Sequence, residues 1–206
     1  QLMSKDKQIR VPLAKIHEKG FFETEIDEIE PFSSYTFLSQ YEDSKHEWVD
    51  PYAFEPYVQN QDLELFNQGI DRRPHDKLGA IPVSHQGVPG VSFVVWAPSA
   101  QSVHLTGDFN LWNPVNLPMR SLGSSGCREL FVPFATIGQK YKYRVLGADN
   151  ILREKTDPFA FSFEPPTGNA SIIADRSPLN PFRERMDGAP VNQPISIYEM
   201  HLGSWQ

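Results

Sequence analysis

Apolar and polar positions alternate most clearly between Val91 and Phe109. Val91-Ser92-Phe93-Val94-Val95-Trp96 has the pattern of a strand, and Ala97-Pro98-Ser99-Ala100 breaks it. Ser102-Val103-His104-Leu105-Thr106-Gly107 then reads as a second strand of period two. Leu130-Phe131-Val132 follows, and then Tyr141-Lys142-Tyr143-Arg144-Val145-Leu146, with aromatic residues at alternate positions. Gly147-Ala148-Asp149-Asn150 supplies a turn and Ile151 to Lys155 a return strand. Short strands with turns about every 8–12 residues predict an all-β chain, an antiparallel sandwich or barrel.

A partial repeat divides the chain. Asp50-Pro51-Tyr52-Ala53-Phe54-Glu55-Pro56 returns as Asp157-Pro158-Phe159-Ala160-Phe161, with Glu164-Pro165 shortly after. Tyr35 lies 15 residues before the first Asp and Tyr141 lies 16 before the second. Two copies of one exit motif predict two related β-modules in tandem. Asp-Pro followed by aromatics is also an ordinary strand-ending turn, so coincidence is the alternative.

The resulting plan assigns 1–56 to the tail of a truncated module and 57–82 to a connecting segment with short helical turns. A complete β-sandwich follows over 83–176. Residues 177–194, rich in proline, read as a linker, and 195–206 as the first strand of a further domain. The truncated tail is expected to leave a sheet edge unpaired and Phe21, Phe32 and Phe37 uncovered.

Composition narrows the function classes. The 206 residues carry a net charge of −7, which argues against a nucleic-acid footprint or an anionic-membrane patch. No apolar run approaches the roughly 20 residues of a membrane-spanning helix. A single cysteine, Cys127, excludes an internal disulfide and a thiolate metal cluster. It is consistent with a cytoplasmic protein. The six histidines are scattered singly, so metal ligation is not expected.

Catalytic signatures are missing too. The chain has no Gly-rich phosphate loop, no His-Glu-x-x-His and no Gly-x-Ser-x-Gly. What stands out is Gly107-Asp108-Phe109-Asn110-Leu111-Trp112-Asn113, a polar turn with an indole directly after a strand. Sugars present hydroxyls around a ring with apolar C–H faces, so a sugar site needs a flat aromatic with amide or charged partners. Trp112, Asn110 and Lys142 are the candidates. Trp96, ending an alternating strand, and Phe109 read as core. Trp112 could equally pack onto the sheet.

Phe93-Val94-Val95-Trp96-Ala97-Pro98-Ser99-Ala100, Gly107-Asp108-Phe109-Asn110-Leu111-Trp112, Tyr141-Lys142-Tyr143 and Asp157-Pro158-Phe159-Ala160 together resemble a known module. It is the carbohydrate-binding module that precedes the catalytic barrel of glycogen and starch branching enzymes. Ser196-Ile197-Tyr198-Glu199-Met200-His201-Leu202-Gly203-Ser204-Trp205 resembles the first strand of that (β/α)8 barrel. Leu65-Phe66 to His75-Asp76-Lys77-Leu78-Gly79-Ala80 is similar to the segment leading into the module, and 1–56 to the end of an extra N-terminal module.

The resemblance implies an immunoglobulin-like fold and an α-glucan partner such as glycogen, amylose or maltooligosaccharides. It makes Trp112 a ring-stacking platform and Lys142 a hydroxyl partner. The parent enzyme is expected to be a monomer that cleaves α-1,4 glucan and transfers the segment to form α-1,6 branches, retaining configuration through two carboxylates. Those carboxylates fall beyond this chain, so the chain alone is expected to be inactive, and the resemblance implies no metal or organic cofactor for the chemistry. Where the family commonly has a tryptophan, this sequence has Arg128. A debranching or trehalose-forming relative and a free-standing glycogen-binding module are the alternatives.

Overall fold

The computed structural model describes residues 1–4, 8–27 and 35–176. The linker expected over 177–194, the terminal strand over 195–206 and Phe32 lie outside the described residues. Six short strands come first: β1 (Leu2–Ser4), β2 (Ile9–Val11), β3 (Ala14–His17), β4 (Phe21–Glu23), β5 (Thr36–Gln40) and β6 (Lys45–Val49). They form an antiparallel sheet of order β2-β1-β5-β6 and a separate β3–β4 hairpin.

A strap follows. It holds a 3-10 turn at Pro51–Ala53, helix α1 (Asn60–Asn67) and a second 3-10 turn at Pro74–Asp76. Gly69, at φ +69°, follows the end of α1 in the left-handed region that glycine adopts without strain. Lys77 Nζ sits 2.8 Å from Asp62 and 3.3 Å from Asp71, tying the two ends of the strap's helical part together.

The second set of strands comprises β7 (Gly79–His85), β8 (Val88–Trp96), β9 (Ala100–Gly107), β10 (Arg120–Ser121), β11 (Cys127–Val132), β12 (Lys140–Gly147), β13 (Leu152–Lys155), β14 (Ser162–Phe163) and β15 (Ser171–Ile172). Strand β7 begins inside the stretch expected to be connecting segment. One sheet runs β10-β11-β8-β7; the other centres on β12, flanked by β9 on one edge and by β13 and β15 on the other. Every pair is antiparallel, giving the all-β sandwich that the alternation requires.

The core lies between these sheets. Val91, Phe93 and Val95 from β8 meet Val103 and Leu105 from β9, Leu130 and Val132 from β11, and Tyr141 and Tyr143 from β12. The outer face of the β8 sheet is buried as well, because the strap crosses it. Ala53 and Phe54 seat on Phe131, while Val58, Leu63 and Leu78 seat on Val94 and Cys127. Full burial of such side chains contributes about 1.5–3 kcal/mol each, which is enough to fasten the strap.

Trp96 departs from its expected place in the core. It falls on the strap side of β8, beyond the covered stretch, is 51% exposed and meets Phe66 edge-on at 6.0 Å. Phe109 is partly buried and packs against Phe93 at 5.4 Å.

The repeated motif adopts one geometry twice. Tyr35 Oη donates to Asp50 Oδ2 at 2.6 Å, and Asp50 Oδ1 accepts the Tyr52 N–H at 3.0 Å. Tyr141 Oη donates to Asp157 Oδ2 at 2.6 Å, and Asp157 Oδ1 accepts the Phe159 N–H at 2.8 Å. Tyr143 Oη adds a second bond to Asp157 at 3.2 Å. In each copy the carboxylate stops the strand, caps the following turn and clasps a tyrosine from the neighbouring strand. Burial raises the Asp157 carboxyl above its ordinary range, opposed by the tyrosine and backbone donors.

Candidate functional site

Trp112 sits in a strained loop. Leu111 and Trp112 are consecutive residues at φ 53° and 57°. A left-handed backbone costs an ordinary residue about 1–2 kcal/mol, so something must hold the turn. Trp112 N–H donates to Gly107 O at 2.8 Å and Asn113 N–H to Asn110 O at 3.0 Å. The Asn110 side chain supplies the rest: its Oδ1 accepts the Gly107 N–H at 2.9 Å. Its Nδ2 donates to Asn113 O and Asn116 Oδ1, each at 2.9 Å.

That network bears on Asn110, which the sequence offered as a sugar partner. Asn110 was expected to offer its amide to a sugar, but both of its N–H groups are already engaged inside the loop. Its role in the structure is to brace the turn that presents the indole. An Asn in a turn reads the same either way from sequence, because loop brace and ligand partner need the same amide.

The indole is 39% exposed, and its Nε1–H donates to Asp108 Oδ1 at 2.8 Å. Asp108 Oδ2 accepts the Lys140 N–H at 2.8 Å. One carboxylate therefore fastens Trp112 to the start of β12, two residues before Lys142. The ring's orientation is held from its polar edge.

Lys142 projects from β12 on the face opposite the core, because Tyr141 and Tyr143 point inward. Its Nζ lies 3.8 Å from Glu154 Oε2, a loose pair, and its cross-strand neighbour is Thr106. Thr106 Oγ1 and Arg144 Nε are buried with no hydrogen-bond partner among the described residues. Ser102, His104, Arg144 and Leu146 share this side of the sheet and stay partly exposed. The strap packs on the outer face of the other sheet; on this one Thr106 is buried and the Lys142 side chain is 16% exposed. Arg144 and Thr106 were not singled out from sequence, although the period-two pattern of β12 places Arg144 beside Lys142.

Arg128 does not present a flat surface for stacking. Its Nη2 donates to Ala100 O at 2.7 Å, linking the end of β11 to the start of β9. Among the described residues no group of His, Cys, Asp and Glu could hold a metal ion. No described helix is long and apolar enough to cross a membrane.

The described residues thus hold a two-sheet module with a braced indole at the head of β12. The family model of Carbohydrate-binding module 48 (Isoamylase N-terminal domain) matches residues 77–160. Beyond the module, the whole chain is similar to 1,4-alpha-glucan branching enzymes. It is 42% identical over 199 residues to GlgB of Rhodopseudomonas palustris (strain ATCC BAA-98 / CGA009), covering 95% of this chain and 27% of that protein. It is 41% identical over 202 residues to GlgB of Nostoc sp. (strain PCC 7120), covering 94% of this chain and 26% of that protein.

The chain thus spans about a quarter of the length of the curated relatives it matches. Among solved structures, ligand-free PulA from Klebsiella pneumoniae aligns with 48% of this chain and 10% of its own, at 27% identity and a TM-score of 0.41. The similarity to the branching enzymes covers nearly the whole sequence, and the carbohydrate-binding module match covers residues 77–160.

Proposed function

We propose that this chain is the glucan-binding and spacing region of a 1,4-alpha-glucan branching enzyme, a cytoplasmic monomer acting in glycogen synthesis. The whole enzyme would cleave an α-1,4 glucan and transfer the released segment to a glucose O6. The carboxylates for that chemistry would lie outside this chain, which alone is inactive. The relatives' shared name supports the parent activity, and the module match supports an α-glucan ligand.

The observation that carries glucan binding is Trp112. Its backbone is strained, its indole N–H is anchored by Asp108, and the ring is still left partly exposed. A residue serving only as packing would have no need of that arrangement. Trp112 is read as the stacking platform, Lys142 as the hydroxyl partner on the adjoining strand, and Asn110 as the brace. Stacking of one sugar ring on an indole contributes about 1–2 kcal/mol by analogy with aromatic pairs. With a few hydroxyl contacts, affinity near millimolar follows, about −4 kcal/mol. Tethering such a site to a catalytic domain would still raise the local concentration of polymer.

The test is a maltoheptaose titration of the chain and of Trp112→Ala, with melting temperatures measured alongside. Binding lost at a nearly unchanged melting temperature supports the platform. A large melting loss, or no binding by the unmutated chain, leaves the module as a spacer.

A further inference from the structure

The exit motif occurs twice, and one position in it differs in chemistry. In Asp50-Pro51-Tyr52 and Asp157-Pro158-Phe159 the aspartate accepts the backbone N–H of the aromatic residue two places on. The clasp uses only that N–H, so phenylalanine serves it as well as tyrosine does. The hydroxyl of Tyr52 has a separate task. It donates to the Pro118 carbonyl oxygen at 2.8 Å, 66 residues along the chain. Burial and the Asp50 charge push that hydroxyl up to about 12, opposed by Arg120, so it remains a donor at neutral pH.

Pro118 lies in the segment that returns from the Trp112 loop, and each residue from 115 to 120 has its own partner. Val115 O faces His104 Nδ1 at 3.2 Å, and Asn116 Oδ1 accepts from Asn110 Nδ2 at 2.9 Å. Leu117 O accepts the Leu105 N–H at 2.9 Å, and the Met119 N–H donates to Val103 O at 2.8 Å. Those four hold the segment to β9 and to the loop itself. The other two come from the strap: Tyr52 on Pro118, and Phe54 O accepting from Arg120 Nη1 at 2.7 Å. Leu117 and Met119 are buried in the sandwich core, while Pro118 between them is exposed. The strap therefore grips the outer side of this segment, two residues from the asparagine that meets Asn110.

We propose that Tyr52 is a positioning residue for the sugar platform. Its hydroxyl sets the return leg of the loop and, through Asn116 and Asn110, the orientation of Trp112. This rests on the reading of Trp112 as that platform. Two consecutive left-handed residues at 111 and 112 break any regular ladder, so restraint at both ends of the loop decides how the indole stands. Asp108 supplies it at the entry and Tyr52 at the exit. The strap, which joins the first sheet to the module, thereby acts on the site from outside it.

The experiment follows the Trp112 indole N–H resonance by heteronuclear NMR, assigned by its loss in Trp112→Phe, and titrates the same samples with maltoheptaose. Tyr52→Phe removes one oxygen and keeps the ring, and the second copy shows the motif accepting phenylalanine. It should shift the Trp112 resonance, leave that of Trp96 in place, and weaken maltoheptaose binding about threefold. Lys77→Met, which releases the same strap from Asp62 and Asp71, should lower the melting temperature and change neither the Trp112 resonance nor the affinity. Unchanged affinity in Tyr52→Phe overturns the proposal. So does an equal loss in Lys77→Met, which marks a general loosening of the strap. If the unmutated chain binds no maltoheptaose, the platform reading of Trp112 fails, and the resonance alone decides for Tyr52. A Trp112 signal unmoved by Tyr52→Phe then overturns the positioning role as well.

Discussion

Glu129 is the most informative single residue to perturb. It lies on the outer side of β11 with no solvent exposure, under the strap. Its Oε1 accepts the Tyr57 N–H, 72 residues away in sequence, while its Oε2 has no partner among the described residues. Arg120 faces it across β10 and β11 but donates its Nη1 to Phe54 O at 2.7 Å, on the same strap. Burial pushes the Glu129 carboxyl up from 4.5 to about 7, opposed by the Tyr57 N–H, the Arg120 charge and the Val58 N–H.

The sign of the effect follows from linkage. The folded pKa lies above the unfolded one, so between pH 4.5 and 7 the folded chain holds a proton that the unfolded chain has released. The stability from this group is therefore complete below about 4.5 and is lost as pH rises through about 7. At about 1.4 kcal/mol per pKa unit, the ionised form costs the fold about 3 kcal/mol relative to the protonated one.

Gln at 129 keeps an acceptor for the Tyr57 N–H and cannot ionise. We expect the melting temperature of the natural chain to fall, relative to Glu129→Gln, by about 6–12 °C between pH 5 and pH 8.5. Scanning calorimetry of both chains across that range measures the difference, in which all other titrating groups cancel. Parallel curves would refute the reasoning, since they would mean that Glu129 holds the same charge folded and unfolded.

Three further outcomes follow from the geometry. Asp157→Asn, at a fully buried clasp with two tyrosine donors, should cost about 1.5–3 kcal/mol in urea unfolding, more than Asp50→Asn at the half-buried copy. Gly107→Ala should lower stability and weaken maltoheptaose binding together, because a Cβ there would collide with the Lys140 carbonyl oxygen and the Phe109 ring. Hydrogen exchange should be slow across Val91–Val95 and Tyr141–Val145, buried in one core, and fast across the exposed β3 and β4; equal protection would contradict it.

The strands of the second module were legible because period-two alternation is written directly into residues such as Val103, Leu105, Tyr141 and Tyr143. The repeat was legible because the Asp-Pro-aromatic exit motif is written twice, 15 and 16 residues after a tyrosine. Trp96 was misplaced because alternation reveals which residues share a face, not which face another segment covers. Strand β8 is buried on both sides only because residues from a distant part of the chain lie across it. Glu129 was invisible for the same reason: a charge in a strand reads as solvent-facing until its partner, the Tyr57 N–H, is known. At the candidate site, the turn carrying Trp112 stood out in the sequence, while the bonds that Asn110 makes inside the loop depend on contacts that alternation does not show.

The division of labour between the two outer faces explains why the charged and aromatic residues lie where they do. Phe131, Val94 and Cys127 make one outer face apolar, and a strap with Phe54, Val58 and Leu63 seals it. A polymer rich in hydroxyls could not reach that face without displacing the strap. The opposite face carries Lys142, Arg144 and His104, each partly exposed, around a buried Thr106. On the sheet of β9 and β12, Asp108 fixes Trp112 at the head of β12. If Lys142 and Trp112 act on one ligand, Lys142→Ala and Trp112→Ala should weaken maltoheptaose binding non-additively in a double-mutant cycle, and strict additivity would place them at separate contacts.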